Sequence, residues 1–147
     1  MVGDVCRGRT VRSLSRLMRH FEGAKVYFVS PDTLKIGDDL REDLKKNNVA
    51  FEETTDFENI IPVVDAIYMT RIQDEHDKDG ESKHIDYSKF HFTYDHLKVL
   101  KKDAIIMHPL PRRKEIDVKV DADPRAKYWR QERNGMWTRV ALIAKIF

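Results

Sequence analysis

Three short, uninterrupted apolar runs limit what this chain can fold into: Val26-Tyr27-Phe28-Val29, Ala66-Ile67-Tyr68-Met69 and Ala104-Ile105-Ile106-Met107. Continuous rather than alternating hydrophobicity marks strands buried on both faces, and such strands belong to parallel sheets covered by helices. The intervening segments have helical period. Residues 10–21 put Val11, Leu14, Leu17, Met18 and Phe21 on one face and Arg12, Arg16 and Arg19 on another, with Gly23 as the stop. Leu40 and Leu44 sit in a polar helix of about ten residues, acids early and lysines late, the order that the helix dipole favours. Asp56 is positioned to cap a brief helix that Pro62 ends. Residues 96–102 read as a turn or two of helix, and 128–147 as a C-terminal helical region with a break at Asn134-Gly135. Met1-Val2 reads as the last part of a strand turning at Gly3-Asp4, 50–54 as a short strand, and 66–70 as the full extent of the second apolar run. Strand and helix alternate, so the expected fold is a single α/β domain over 1–147, a doubly wound parallel sheet with helices on both faces.

Bulk properties remove several function classes. The 147 residues suffice for one domain with its own core. A net charge of +2 supplies no field to draw nucleic acid or an anionic membrane. The stripe of Arg12, Arg16 and Arg19 reads as a solvated helix face rather than a nucleic-acid contact. The single cysteine, Cys6, excludes an intrachain disulfide and a multi-cysteine metal site, and a reducing cytoplasmic location is expected. No window reaches the apolar length of a membrane span, and the N-terminus has no signal-peptide pattern. Residues 74–89 are acidic, rich in lysine and histidine and poor in aliphatics, and read as a mobile surface loop. Glu75, Asp77, Asp79, Gly80 and Asp86 mimic a calcium loop in spacing, but the first and last residue types are exchanged and a strand precedes. His76 and His84 lack a third ligand at helical spacing. No metal is expected.

In open α/β sheets, ligands bind beyond the carboxyl ends of the strands. Three segments meet that condition: residues 3–10 with Arg9 and Thr10, residues 71–73 with Arg71 and Gln73, and the turn His108-Pro109-Leu110-Pro111. A guanidinium grips a carboxylate through two parallel hydrogen bonds. Pro109 and Pro111 have no N–H, and each pushes the residue before it toward extended backbone, so the turn offers carbonyls rather than donors. Arginines for acid groups and carbonyls for an amine together describe a site for an amino acid carrying an extra carboxylate.

Four stretches in order, VGDVCRGRTVRSL at 2–14, YMTRIQDE at 68–75, HPLPRRKEI at 108–116 and DPRAKYWRQERNGMWTR at 123–139, resemble the catalytic chain of aspartate carbamoyltransferases. Ornithine enzymes of the same kind typically carry a cysteine where Pro109 stands. The resemblance implies transfer of the carbamoyl group of carbamoyl phosphate to the L-aspartate amine, in pyrimidine biosynthesis, without metal or organic cofactor. It implies that Arg9 and Thr10 hold the α-carboxylate and Arg71 and Gln73 the side-chain carboxylate. The Pro109 and Leu110 carbonyls would orient the reacting groups, across a cis Leu110–Pro111 bond. It matches only the aspartate-binding, Rossmann-like second domain. The carbamoyl-phosphate domain with its Ser-Thr-Arg-Thr loop has no counterpart here, so this chain alone is expected to be inactive. The family further implies a homotrimer, a regulatory chain in some members, and a last helix that packs on the other domain. Val140, Leu142, Ile143, Ile146 and Phe147 are then expected to lack cover within one monomer. One local departure is His76, where the family often has arginine. The alternative function is a stand-alone aspartate-binding or regulatory module without catalysis.

Overall fold

A computed structural model describes residues 1–73 and 86–147. The strands are β1 (Lys25–Val29), β2 (Ala50–Thr54), β3 (Ala66–Tyr68) and β4 (Ile105–Met107). β1 pairs with β2 and β3 with β4, both parallel. Val2 joins the two ladders by parallel bridges to Val29 and Met69, and Ala126 adds a parallel bridge to Ile106 on the far side. The lateral order is therefore β2, β1, Val2, β3, β4, Ala126. Chain order reverses beside Val2, which puts a topological switch point at the middle of the sheet.

The two faces carry separate cores, as period-two alternation requires. Val26 and Phe28 of β1 pack with Val11 of α1 (Arg9–Leu17) and with Leu40 and Leu44 of α2 (Asp38–Lys46). Val29 faces the other way, with Val2, Ile67, Met69 and Ile106, under Phe57 of α3 (Phe57–Ile60), Phe92 and Tyr128. Asp56 caps α3 as expected, accepting from the Asn59 N–H at 3.2 Å. The parallel α/β architecture with helices on both faces is the one read from the apolar runs.

Several boundaries differ. α1 ends at Leu17 and tightens into a 3-10 turn at Met18–His20, so Leu17 and Phe21 are exposed rather than in the core. Gly23 takes φ +72° in the exit turn, as a helix stop should. The arginine stripe stays partly solvated, and it also pairs with α2. Arg12 pairs with Asp39 of α2, Arg16 Nε donates to Asp43 at 3.2 Å, and Arg19 Nη1 donates to Asn47 at 3.1 Å. Charge-balanced helix packing thus claims these residues. The helical turn expected at 96–102 is instead a 3-10 turn at Tyr94–Lys98. A reciprocal cap between Thr93 and His96 fixes its start, and Leu100 after it is buried.

Residues 86–89, read as part of a mobile surface loop, enter a 3-10 turn. Asp86 caps a 3-10 turn at Tyr87–Phe90, because Phe90 and Phe92 bury themselves in the core. Glu75, His76, Asp77, Asp79, Gly80 and His84 lie outside the described residues. α4 (Tyr128–Ile146) runs through Asn134-Gly135 without a break, since each is tolerated within a continuous helix at modest cost. Past its buried first residue, Tyr128, it is largely open to solvent. Trp137, Val140, Leu142, Ile143, Ile146 and Phe147 are all exposed, as expected of this helix. No helix among the described residues is long and apolar enough to cross a membrane.

Candidate functional site

Three loops leave the carboxyl ends of the Val2 segment, β3 and β4 side by side. The first turns at Gly3, φ +106°, where a Cβ would stand 2.4 Å from the Thr70 carbonyl oxygen. Only glycine permits this approach. Thr70 is buried and closes the contact, its backbone N–H and hydroxyl both donating to Val2 O at 2.9 Å.

Asp4, fully buried, ties the first loop to the second. Its carboxylate accepts the Arg7 N–H at 3.0 Å and the Gln73 N–H at 3.2 Å. Arg7 Nη1 reaches back to Gln73 O at 3.4 Å. Through this staple the start of α1, bearing Arg9 and Thr10, is held beside Arg71 and Gln73. Neither Asp4 nor Arg7 is a residue that sequence reasoning selected. A buried acid beside a turn glycine has no spacing signature, because its partner lies 69 positions away.

The third loop is the proline turn. The Leu110–Pro111 bond is cis, as the resemblance implies, and Leu110 adopts φ +52°, a region that leucine rarely visits. His108 holds it there. Its ring is buried, Nδ1 accepts the Leu110 N–H at 2.8 Å, and Nε2 meets Glu115 Oε1 at 2.7 Å. An Nδ1 that accepts leaves the proton on Nε2, which donates to the carboxylate. Glu115 also accepts the Arg113 N–H, and the His108 N–H donates to Gln131 of α4 at 3.1 Å. Burial pushes the Glu115 carboxyl up, but the bonds from His108 and from backbone N–H groups outweigh it and hold it below the usual range.

With Pro109 and Pro111 lacking N–H and the Leu110 N–H turned back to His108, the turn presents carbonyls and no free backbone donor. The next residue is committed elsewhere. Arg112 forks onto Asp121, which also accepts the Tyr128 hydroxyl, and its guanidinium lies 5.6 Å from the Tyr128 ring. The Arg112 bond keeps the Asp121 carboxyl below its ordinary range. This group pins the turn to the root of α4.

All six residues selected from sequence meet: Arg9, Thr10, Arg71, Gln73, Pro109 and Leu110 line one cavity of about 290 Å³, with Gly8, Thr70, His108 and Pro111. Arg9, the first residue of α1, is exposed and makes no hydrogen bond or ion pair among the described residues. A larger cavity of about 450 Å³ lies across Thr70, between Gly3, Phe90, His91 and Glu115. Its wall is mostly apolar, and it contains neither Arg9 nor Arg71.

Comparisons with known proteins match the chain to one family. The family model of the aspartate/ornithine carbamoyltransferase Asp/Orn binding domain matches residues 1–146. The chloroplastic aspartate carbamoyltransferase of Oryza sativa subsp. japonica is 45% identical over 148 residues, covering 97% of this chain and 40% of the rice protein. The catalytic subunit of M. jannaschii aspartate transcarbamoylase superposes with a TM-score of 0.85 at 38% identity, over 98% of this chain and 46% of that one. The Trypanosoma cruzi enzyme in complex with carbamoyl phosphate and aspartate superposes with a TM-score of 0.79 at 33% identity, over 96% and 45%. The chain thus spans less than half the length of each of these proteins. Matched by the family model over all but its last residue, the chain belongs to the aspartate/ornithine carbamoyltransferase family and represents its Asp/Orn-binding domain.

Proposed function

We propose that this chain is the aspartate-binding half of an aspartate carbamoyltransferase. The observation that carries the reading is the single cavity in which two arginine-bearing loops face a carbonyl-only turn. Arg9, with Thr10, takes the α-carboxylate of L-aspartate, and Arg71, with Gln73, takes the side-chain carboxylate. The Pro109 and Leu110 carbonyls accept from the amine and the carbamoyl nitrogen. The neutral amine nitrogen then attacks the carbamoyl carbon, a C–N bond forms, the C–O bond to phosphate breaks, and the departing phosphate takes up the amine proton. Positioning of two reactants and neutralisation of charge carry such a step, with no covalent enzyme intermediate.

Carbamoyl phosphate is held by a partner domain of the kind that the longer relatives include, and α4 docks on it through its exposed apolar residues. In the assembled enzyme the expected state is a cytoplasmic homotrimer, with a regulatory chain as a further partner, serving pyrimidine biosynthesis. The Trypanosoma cruzi neighbour, whose structure holds both carbamoyl phosphate and aspartate, supports the substrate assignment.

The test is complementation. The chain is mixed with a separately made carbamoyl-phosphate domain, and carbamoyl aspartate is assayed. Product in the mixture and in neither half alone is expected. Turnover by this chain alone overturns the half-site reading. Aspartate binding without turnover in any mixture favours the non-catalytic module.

A further inference from the structure

The cavity of about 450 Å³ across Thr70 is not used by the aspartate reading, yet it has the makings of a site. Its volume falls within the roughly 300–1,000 Å³ typical of small-molecule pockets. Ile72, Phe90 and the ring of Tyr87 give it apolar walls, with Gly3 and Thr70 at the side facing the aspartate cavity.

A polar atom of its wall lacks a partner: His91 Nε2 is buried and has no hydrogen-bond partner among the described residues. The backbone of the same residue is fixed, its N–H donating to Ser88 O at 3.3 Å, and the ring follows directly on the buried Phe90. A buried imidazole nitrogen without a partner is destabilising, and a ligand group bonded to it relieves that cost.

The mouth carries a cation, the exposed Lys114, beside Glu115. Glu115 offers little counter-charge, since its carboxylate is already occupied by the His108 ring and the Arg113 N–H. From the buried nitrogen of His91 to the exposed Lys114, the features are a hydrogen-bonding atom, an apolar wall and positive charge.

We propose that this cavity is a second ligand site, for a small aromatic acid that carries a ring hydroxyl. The ring lies between Ile72 and Phe90. The hydroxyl bonds to His91 Nε2, and a hydroxyl serves whichever tautomer the imidazole holds, because it both donates and accepts. The carboxylate reaches the mouth at Lys114. An aliphatic diacid of aspartate's kind is excluded, since one of its charges would be buried against Phe90 without a cation. The site is separate from the aspartate cavity but shares Thr70 with it, and Glu115 connects it through His108 to the Leu110 turn.

The experiment uses the full chain, with 3-(4-hydroxyphenyl)propionate as the probe. Controls are 3-phenylpropionate, which lacks the hydroxyl, and 3-(4-hydroxyphenyl)propionamide, which lacks the charge. Affinity is read by titration and location by the imidazole nitrogen resonances of His91 and His108. Expected is saturable binding that moves the His91 Nε2 resonance. Loss of the hydroxyl should weaken binding about fivefold, the worth of one ordinary hydrogen bond. Lys114→Gln, at an exposed position, should weaken the acid several-fold and leave the amide unchanged. His91→Phe should bind the two acids equally. No binding at millimolar probe overturns the proposal. Equal affinity for both acids in the unsubstituted chain overturns it too, as does a shift confined to His108, which lines the neighbouring cavity. If His91→Phe does not fold, the ligand series and Lys114→Gln still decide.

Discussion

The imidazole of His108 accepts the Leu110 N–H at 2.8 Å, two residues along the chain, and so decides what the proline turn can offer a ligand. Without that bond Leu110 would carry the one free backbone donor in the turn, at a φ of +52° that its side chain disfavours. With it, every remaining backbone group from Pro109 to Pro111 is an acceptor.

Asparagine and glutamine substitutions separate the two jobs of His108. Asparagine oxygen mimics Nδ1 and keeps an acceptor for Leu110. Glutamine nitrogen mimics Nε2 and keeps the donor to Glu115. His108→Asn should retain aspartate binding within a few-fold, while His108→Gln loses tenfold or more. Both lose roughly 1–3 kcal/mol of stability, because each leaves one buried group unpaired. Calorimetric titration with aspartate and urea melts give the two readouts. Equal binding losses in both variants would show that the Leu110 bond has no special part.

Arg9 makes no bond or ion pair among the described residues and is exposed. Arg9→Lys should therefore leave the urea midpoint unchanged, yet weaken aspartate by about tenfold or more through loss of the two-pronged grip. Succinate, which lacks the amine, should lose affinity to a similar extent. A loss confined to aspartate would place Arg9 at the amine end instead.

Gly3→Ala tests the junction of the first two loops. The new Cβ meets Thr70 O at 2.4 Å on a backbone of φ +106°. Strain and overpacking together cost roughly 3 kcal/mol or more, a large part of a typical domain's stability. Denaturant unfolding should show a much lower midpoint, and a change under about 1 kcal/mol would mean that Thr70 moves aside at little cost.

What was legible in the sequence follows from range. The apolar runs and the helix periods are local, so the parallel sheet and its two cores could be read directly. The six cavity residues were legible because the end of each strand marks a loop, and parallel strands put those loops on one rim. Asp4 with Gln73, Arg112 with Asp121 and His108 with Glu115 were not, since each side chain is chosen by a partner that only the fold brings near. The ion pairs of the α1 arginines went unread for a related reason. Their neutralising acids, Asp39 and Asp43, sit on another helix.

Glu115 makes acid stability a test of the turn. Its carboxyl is held below its ordinary value of 4.5, so the folded chain releases that proton more readily than the unfolded chain. Over the interval between the two values the unfolded chain binds more protons, and stability therefore rises with pH. The contribution of Glu115 is complete above about pH 4.5 and fades as pH falls through the lower folded value. Glu115→Gln keeps an oxygen to accept from His108 but cannot titrate. It should remove that part of the acid loss, giving a shallower fall of the urea midpoint below pH 4.5. Asp121 and Asp123 are depressed in the same direction, each by an arginine, Arg112 and Arg125. They are common to both proteins, so the difference between the two profiles isolates Glu115. Parallel profiles would assign the acid loss to the other depressed carboxyls, Asp86 and Asp95 included, and leave the histidine–glutamate pair without a part in it.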